Sequence, residues 1–97
     1  MEIIHLEKES DFKELTKETI LVDFFATWCG PCKMLANVLE NVNSDIKVLK
    51  VDTDEFENLA REYKIMSIPT LILFKDGKEV KKNIGFIDEE NLEKFLK

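Results

Sequence analysis

Hydrophobic positions along the chain alternate between short continuous runs and sets at helical spacing. Ile3 to Leu6 is an apolar run of strand type, and Ser10 then offers an N-cap for a helix that turns Phe12 and Leu15 toward a core and ends near Lys17. From Ile20 to Ala26 the apolar residues are nearly continuous, as in a strand buried on both faces of a parallel sheet, and Asp23 alone interrupts them. Leu35, Val38, Leu39 and Val42 fall at i, i+3, i+4 and i+7, which predicts a helix running to about Asn43. Ile46 to Val51 reads as a further strand. Asp52 or Asp54 then stands ready to cap a helix in which Phe56, Leu59, Ala60 and Tyr63 repeat the helical spacing.

The grammar changes in the last third. Thr70 to Phe74 reads as a strand, Asp76-Gly77 is a strong hairpin signal, and Glu79 to Ile84, of mixed polarity, returns as an antiparallel edge strand. Asp88 is placed to cap a last helix carrying Leu92, Phe95 and Leu96 on one face, with Ile87 packing on Leu92 as a hydrophobic staple. The order β-α-β-α-β-α-β-β-α defines an α/β fold. It predicts a parallel sheet with helices on both faces and a terminal hairpin that adds antiparallel strands. Without repeats, linkers or low-complexity segments, residues 1–97 are expected to form one domain.

Composition narrows the classes. Hydrophobic content of 44% with 35% charged residues belongs to ordinary globular proteins. Fourteen Lys and Arg against 20 Asp and Glu give a net charge of −6 without a basic cluster, so no nucleic-acid partner is expected. No stretch is apolar enough to span a bilayer, and Met1 to His5 lacks the basic and apolar regions of a secretory signal; the expected location is the cytoplasm. In that compartment thiols are kept reduced, so a close cysteine pair points to catalysis or metal binding rather than to a structural bridge.

Both cysteines lie in Trp28-Cys29-Gly30-Pro31-Cys32. Two thiols at this spacing can close into a disulfide or open into a dithiol, and Pro31 limits how far the backbone between them relaxes. As a staple such a bond is poor, because the entropy it removes from the unfolded chain grows with loop length. As a zinc site it is incomplete, since only His5 adds a soft ligand and a second chain would be needed to finish it. A redox switch is the favoured reading, with dimeric metal binding or a bystander pair as the alternatives. The pair follows a central strand and opens a helix, which is where open α/β sheets usually carry their chemistry.

Val22-Asp23-Phe24-Phe25-Ala26-Thr27-Trp28-Cys29-Gly30-Pro31-Cys32-Lys33 resembles the active-site strand and loop of the thioredoxin family. Ile68-Pro69-Thr70 is similar to that family's cis-proline loop, and Phe74-Lys75-Asp76-Gly77 and Gly85 follow in the family's order. The resemblance spans nearly the whole chain. It implies a central mixed sheet flanked by helices and an activity that reduces disulfides in other proteins. It also implies Cys29 as the attacking thiol, Cys32 as the resolving thiol and Pro69 as a cis-proline facing them. A Gly-Pro pair between the cysteines is typical of the family's reductants. The chain departs from the pattern at Asn37, where many members have a helix-kinking proline, so a straighter helix is expected. The stretch from Val38 to Val48 looks about one helical turn shorter than in many relatives. Phe25 and Thr27 occupy positions that vary across the family.

A thiolate attacks disulfides, and a helix N-terminus within a CxxC motif favours it, bringing a cysteine pKa from about 8.5 to about 7 in proteins of this type. Cys29, preceding the helix and the more exposed of the two, is the expected nucleophile, and Cys32 must lose its own proton before it resolves the mixed disulfide. Asp23, whose burial raises its pKa, is the candidate acceptor of that proton, against the alternative of a strand-end carboxylate satisfied by backbone amides. The resemblance sets Lys50 close to Asp23, where it would tune it; otherwise it is a solvated lysine. Trp28 is an apolar landing surface beside the nucleophile or a core residue, with Gly30 and Pro31 adjoining it in the expected substrate contact. Pro69 would present the backbone of Ile68 or Ser67 to an extended substrate, and Gly85 allows close approach, or merely ends a strand. Lys33 reads as helix decoration, His5 as an ordinary strand residue, and Met34 and Met66 as core filling.

The chain lacks a GxGxxG fingerprint, so no cofactor is expected within it and NADPH or flavin chemistry falls to a partner reductase. The expectation is a monomeric cytoplasmic protein-disulfide reductase with a thioredoxin reductase-type electron donor and disulfide-containing protein substrates. A binding module that ignores its cysteines, and an oxidant or isomerase of the same fold, are the competing readings.

Overall fold

The computed structural model describes all 97 residues. The strands are β1 (Ile3–His5), β2 (Ile20–Phe25), β3 (Lys47–Asp52), β4 (Thr70–Lys75) and β5 (Lys78–Ile84), and the helices are α1 (Phe12–Leu15), α2 (Gly30–Asn41), α3 (Glu57–Glu62) and α4 (Glu89–Phe95). The strands form one mixed sheet in the order β1-β3-β2-β4-β5. β1, β3 and β2 run parallel, while β4 is antiparallel to β2 and β5 to β4. The β-α-β-α-β-α-β-β-α order read from the sequence is the one observed.

Alternation along β2 divides the core in two. Ile20, Val22 and Phe24 face one side with Leu49, Val51, Ile72 and Phe74, under Phe12, Phe56 and Leu59. Leu21 faces the other with Val48, Leu71 and Leu73, under Leu35, Leu39 and Val42 of α2 and Leu92 of α4. Both faces of β2 are therefore covered, which is why its sequence is nearly continuous in apolar residues. Burying each such side chain is worth about 1.5–3 kcal/mol, so these two layers supply most of the cohesion of the fold. Phe12, Tyr63 and Phe74 add edge and tilted ring contacts at 5.3–5.7 Å.

The local signals hold with two exceptions, both at helix starts. Asp88 accepts a hydrogen bond from the Asn91 amide at 2.9 Å and caps α4, and Ile87 shares a core layer with Leu92. Asp76 and Gly77, both at positive φ, turn the β4–β5 hairpin, and the Gly77 amide donates to the Thr16 carbonyl at 2.9 Å. β5 is mostly exposed and its pairing slips between Leu73 and Phe74. Ser10 does not cap the first helix. It lies inside a 3₁₀ turn, Glu9–Asp11, that runs directly into α1, so the helix has no extended residue from which a side chain could cap it. Asp52 accepts from the amides of Asp54 and Glu55 in the turn before α3, but neither it nor Asp54 caps that helix, whose N-cap position is Phe56 and has no side-chain bond.

Candidate active site

β2 ends at Phe25, and the chain turns through Ala26, Thr27 and Trp28 to Cys29, whose amide donates to the Ala26 carbonyl at 3.3 Å. Cys29 is the N-cap of α2: its backbone is extended and its Sγ accepts a hydrogen bond from the Cys32 amide at 3.2 Å. Gly30 opens the helix, and Pro31 sits in its first turn, where a missing amide costs nothing. Cys29 and Cys32 are joined by a disulfide, with their Cα atoms 5.2 Å apart. The two sulfurs pack with Ala26, Phe25 and Ile68 in a small apolar cluster. Cys29 is buried at 5% exposure, only slightly more open than Cys32 at 2%, so what distinguishes the two sulfurs is the place of Cys29 at the helix N-terminus rather than exposure.

The Ile68–Pro69 bond is cis, and the Ile68 carbonyl oxygen lies 3.9 Å from Cys29 Sγ. A disulfide sulfur has no proton to donate, so this is a packing contact. Ser67 is exposed beside it, and its carbonyl accepts from Thr70 Oγ1 at 2.7 Å. The Gly85 amide donates to the Pro69 carbonyl at 2.8 Å, and Gly85 takes a φ of 93° that other residues rarely adopt. The end of β5 is thereby fastened to the cis-proline loop.

Asp23, in the middle of β2, is fully buried, and neither carboxylate oxygen has a hydrogen-bond partner. The alternative of a carboxylate satisfied by backbone amides is overturned. Burial pushes its pKa up to about 6, against the pull of Lys50, whose Nζ lies 3.6 Å from Oδ2. The Lys50 side chain is only 11% exposed, so it is not a solvated lysine; its Nζ also sits 4.3 Å from the centre of the Phe25 ring. A hollow of about 100 Å³ is bordered by Cys32, Lys33, Ala36, Phe25 and Lys50, and so joins the resolving cysteine to the partner of Asp23.

Trp28 is 69% exposed, which removes the core reading, and its Nε1 donates to Asp54 Oδ2 at 2.8 Å. Asp54 therefore belongs to the site as the anchor of the indole. Sequence reasoning had only a capping role for it, because the bond spans 26 positions and no local pattern signals it. Met34 and Met66 correct the expectation of core filling. Both are exposed, Met66 at 92%, on α2 just past Cys32 and on the loop just before Pro69. Ile84 and Phe86, flanking Gly85, are exposed as well. Trp28, Met34, Met66, Ile84 and Phe86 are thus exposed apolar side chains on the segments next in sequence to the cysteines, the cis-proline and Gly85.

A family model described as Thioredoxin matches residues 2–97. The chain belongs to the thioredoxin family. Thioredoxin of Staphylococcus aureus is 50% identical over 93 aligned residues, spanning 91% of this chain and 89% of that protein. A mutant thioredoxin from Halobacterium salinarum superposes with a TM-score of 0.91 at 36% identity, over 98% of this chain and 88% of that one. The reduced Schistosoma mansoni thioredoxin pre-protein gives 0.89 at 35%, over 99% and 96%. As a thioredoxin, the protein is a thiol–disulfide oxidoreductase with Cys29–Cys32 as its active-site pair and protein-disulfide reductase activity. This sets aside the binding-module and oxidant or isomerase readings. Thioredoxins in general receive electrons from a reductase and pass them to disulfide substrates. No helix is long and apolar enough to cross a membrane.

Proposed function

We propose that this thioredoxin is a monomeric cytoplasmic reductant of protein disulfides, recharged by a thioredoxin reductase-type donor that carries the NADPH and flavin chemistry. The observation that carries the mechanism is Cys29 at the N-cap of α2, where a partial charge of about +0.5 favours the thiolate. Cys29 Sγ attacks one sulfur of the substrate disulfide; a sulfur–sulfur bond forms between them, and the other substrate sulfur leaves as a thiolate that takes a proton from water. Cys32 then yields its proton to Asp23 and attacks Cys29 Sγ. The mixed disulfide breaks, the Cys29–Cys32 bond forms, and the second substrate sulfur departs. Two electrons have moved to the substrate, and the reductase returns two to the protein.

Asp23 suits the base role because it is buried without hydrogen bonds and titrates near about 6, close to where a general base works best. Lys50 keeps it from rising further, and the hollow beside Cys32 is large enough for a water that could carry the proton across. Trp28, Gly30, Pro31, Ser67, Ile68, Pro69 and Gly85 form the substrate contact, with an extended substrate segment pairing to the backbone at Ser67 and Ile68.

Cysteine variants test this assignment. Cys32→Ser is expected to accumulate a mixed disulfide with a disulfide-bonded protein substrate, seen as a mass adduct that dithiothreitol removes, and Cys29→Ser to form none. Adduct formation by Cys29→Ser would reverse the roles of the two thiols. In a redox titration the pair is expected near the family's own value of about −270 mV, and a midpoint near about −120 mV would overturn the direction of electron flow.

A further inference from the structure

One line of ionisable side chains crosses the sheet. The pairing of β1 with β3 sets His5 beside Lys50, and that of β2 with β3 sets Lys50 beside Asp23. Residues paired across neighbouring strands share a face, so imidazole, ammonium and carboxyl stand in one row from an edge strand to the buried centre. The face is that of α2, since Leu21 and Val48, two positions before Asp23 and Lys50, pack with Leu35 and Leu39. A hollow of about 180 Å³ on this face is lined by Ile3, His5, Ala36, Leu39, Glu40 and Lys50. The hollow against Cys32 shares Ala36 and Lys50 with it. Lys50 is thus the partition between His5, which is exposed, and the sulfur site.

We propose that His5 is a positioning residue for the resolving step: together with Glu40 it adds, across the strand of Lys50, to the charge felt by Asp23, and hence sets the acid limb of disulfide reduction. This rests on Asp23 being the base. The charged groups facing His5 are Lys50 from β3, Asp23 one strand beyond and Glu40 from α2, with Lys33 of α2 bordering the second hollow. A proton on His5 adds positive charge two strand spacings from Asp23, about 9.5 Å, and favours the carboxylate. Glu40 opposes it. At that distance, with an effective dielectric near about 50, one charge changes the Asp23 equilibrium about threefold. Removing the imidazole therefore lets Asp23 hold its proton to higher pH.

The test is the titration of the Asp23 carboxyl carbon by ¹³C NMR in the oxidised protein, with turnover measured in parallel at pH 6 and pH 8. His5→Gln is expected to raise the midpoint by up to about half a pH unit and slow turnover at pH 6 by up to about twofold, leaving pH 8 unchanged. Glu40→Gln is expected to move the midpoint the other way, and His5→Lys, charged throughout, to restore it. Both residues are exposed and neither packs in the core, so the variants keep the fold. A His5→Gln midpoint within about 0.1 pH unit of the parent, or shifts of the same sign in His5→Gln and Glu40→Gln, overturns the proposal alone. Midpoints that move as stated while turnover at pH 6 does not follow overturn the assignment of Asp23 as base, and the proposal with it.

Discussion

Replacing Asp23 by Asn is expected to make the protein more stable at neutral pH while slowing the reaction. The carboxyl has its pKa raised from 3.8 to about 6 on folding, mainly by burial, so the native state binds its proton more tightly than the unfolded chain does. Stability from this group is complete below about pH 3.8 and is lost as pH rises through about 6, where the native carboxyl must ionise in a buried place. The whole difference is about 3 kcal/mol at about 1.4 kcal/mol per tenfold. By the same relation, about half of this is already lost at pH 5 and nearly all of the rest by pH 8. Asn cannot ionise and has nearly the same shape, so its advantage over the parent should grow by on the order of 1 kcal/mol between those two pH values. Urea unfolding of both proteins at pH 5 and pH 8 measures this, as a relative midpoint change on the order of 0.3–1 M at the usual slopes of about 1–3 kcal/mol per M. Parallel pH dependences in the two proteins would refute the reasoning, because they would mean that Asp23 titrates alike in folded and unfolded chains.

Two further outcomes follow from single contacts. Lys50→Met removes the cation 3.6 Å from Asp23, so the acid limb of disulfide reduction should move to higher pH, which a pH–rate profile detects; an unmoved limb would show that the ion pair does not act on the base. Asp88→Ala removes the cap of α4 and should destabilise the protein by about 1 kcal/mol in urea unfolding, with the redox midpoint unchanged.

Periodicity made the architecture legible because both faces of the sheet are covered and each helix buries one stripe. The hairpin was legible from Asp76-Gly77, since few residue pairs tolerate two positive φ angles in succession. Hydrophobicity misled at Met34 and Met66, where apolar side chains are kept outside the core. Ser10 misled because a capping residue signals a helix start only if the backbone before the helix is extended, and here it is already helical. The Trp28–Asp54 bond and the row from His5 to Asp23 were out of reach for a different reason. Each depends on which strands and loops become neighbours, and that is a property of the pairing rather than of any local stretch.

The edges of the sheet have a consequence for life among other chains. Exposed apolar side chains bring other chains close, and an open sheet edge then invites them to add strands of their own. Here β1 offers only three residues, and β5 carries Lys78, Lys81 and Lys82 along a strand whose pairing slips near its middle. Neither edge is a good template for further growth. Encounters with loosely folded, disulfide-bearing chains can therefore end in electron exchange and release instead of co-aggregation.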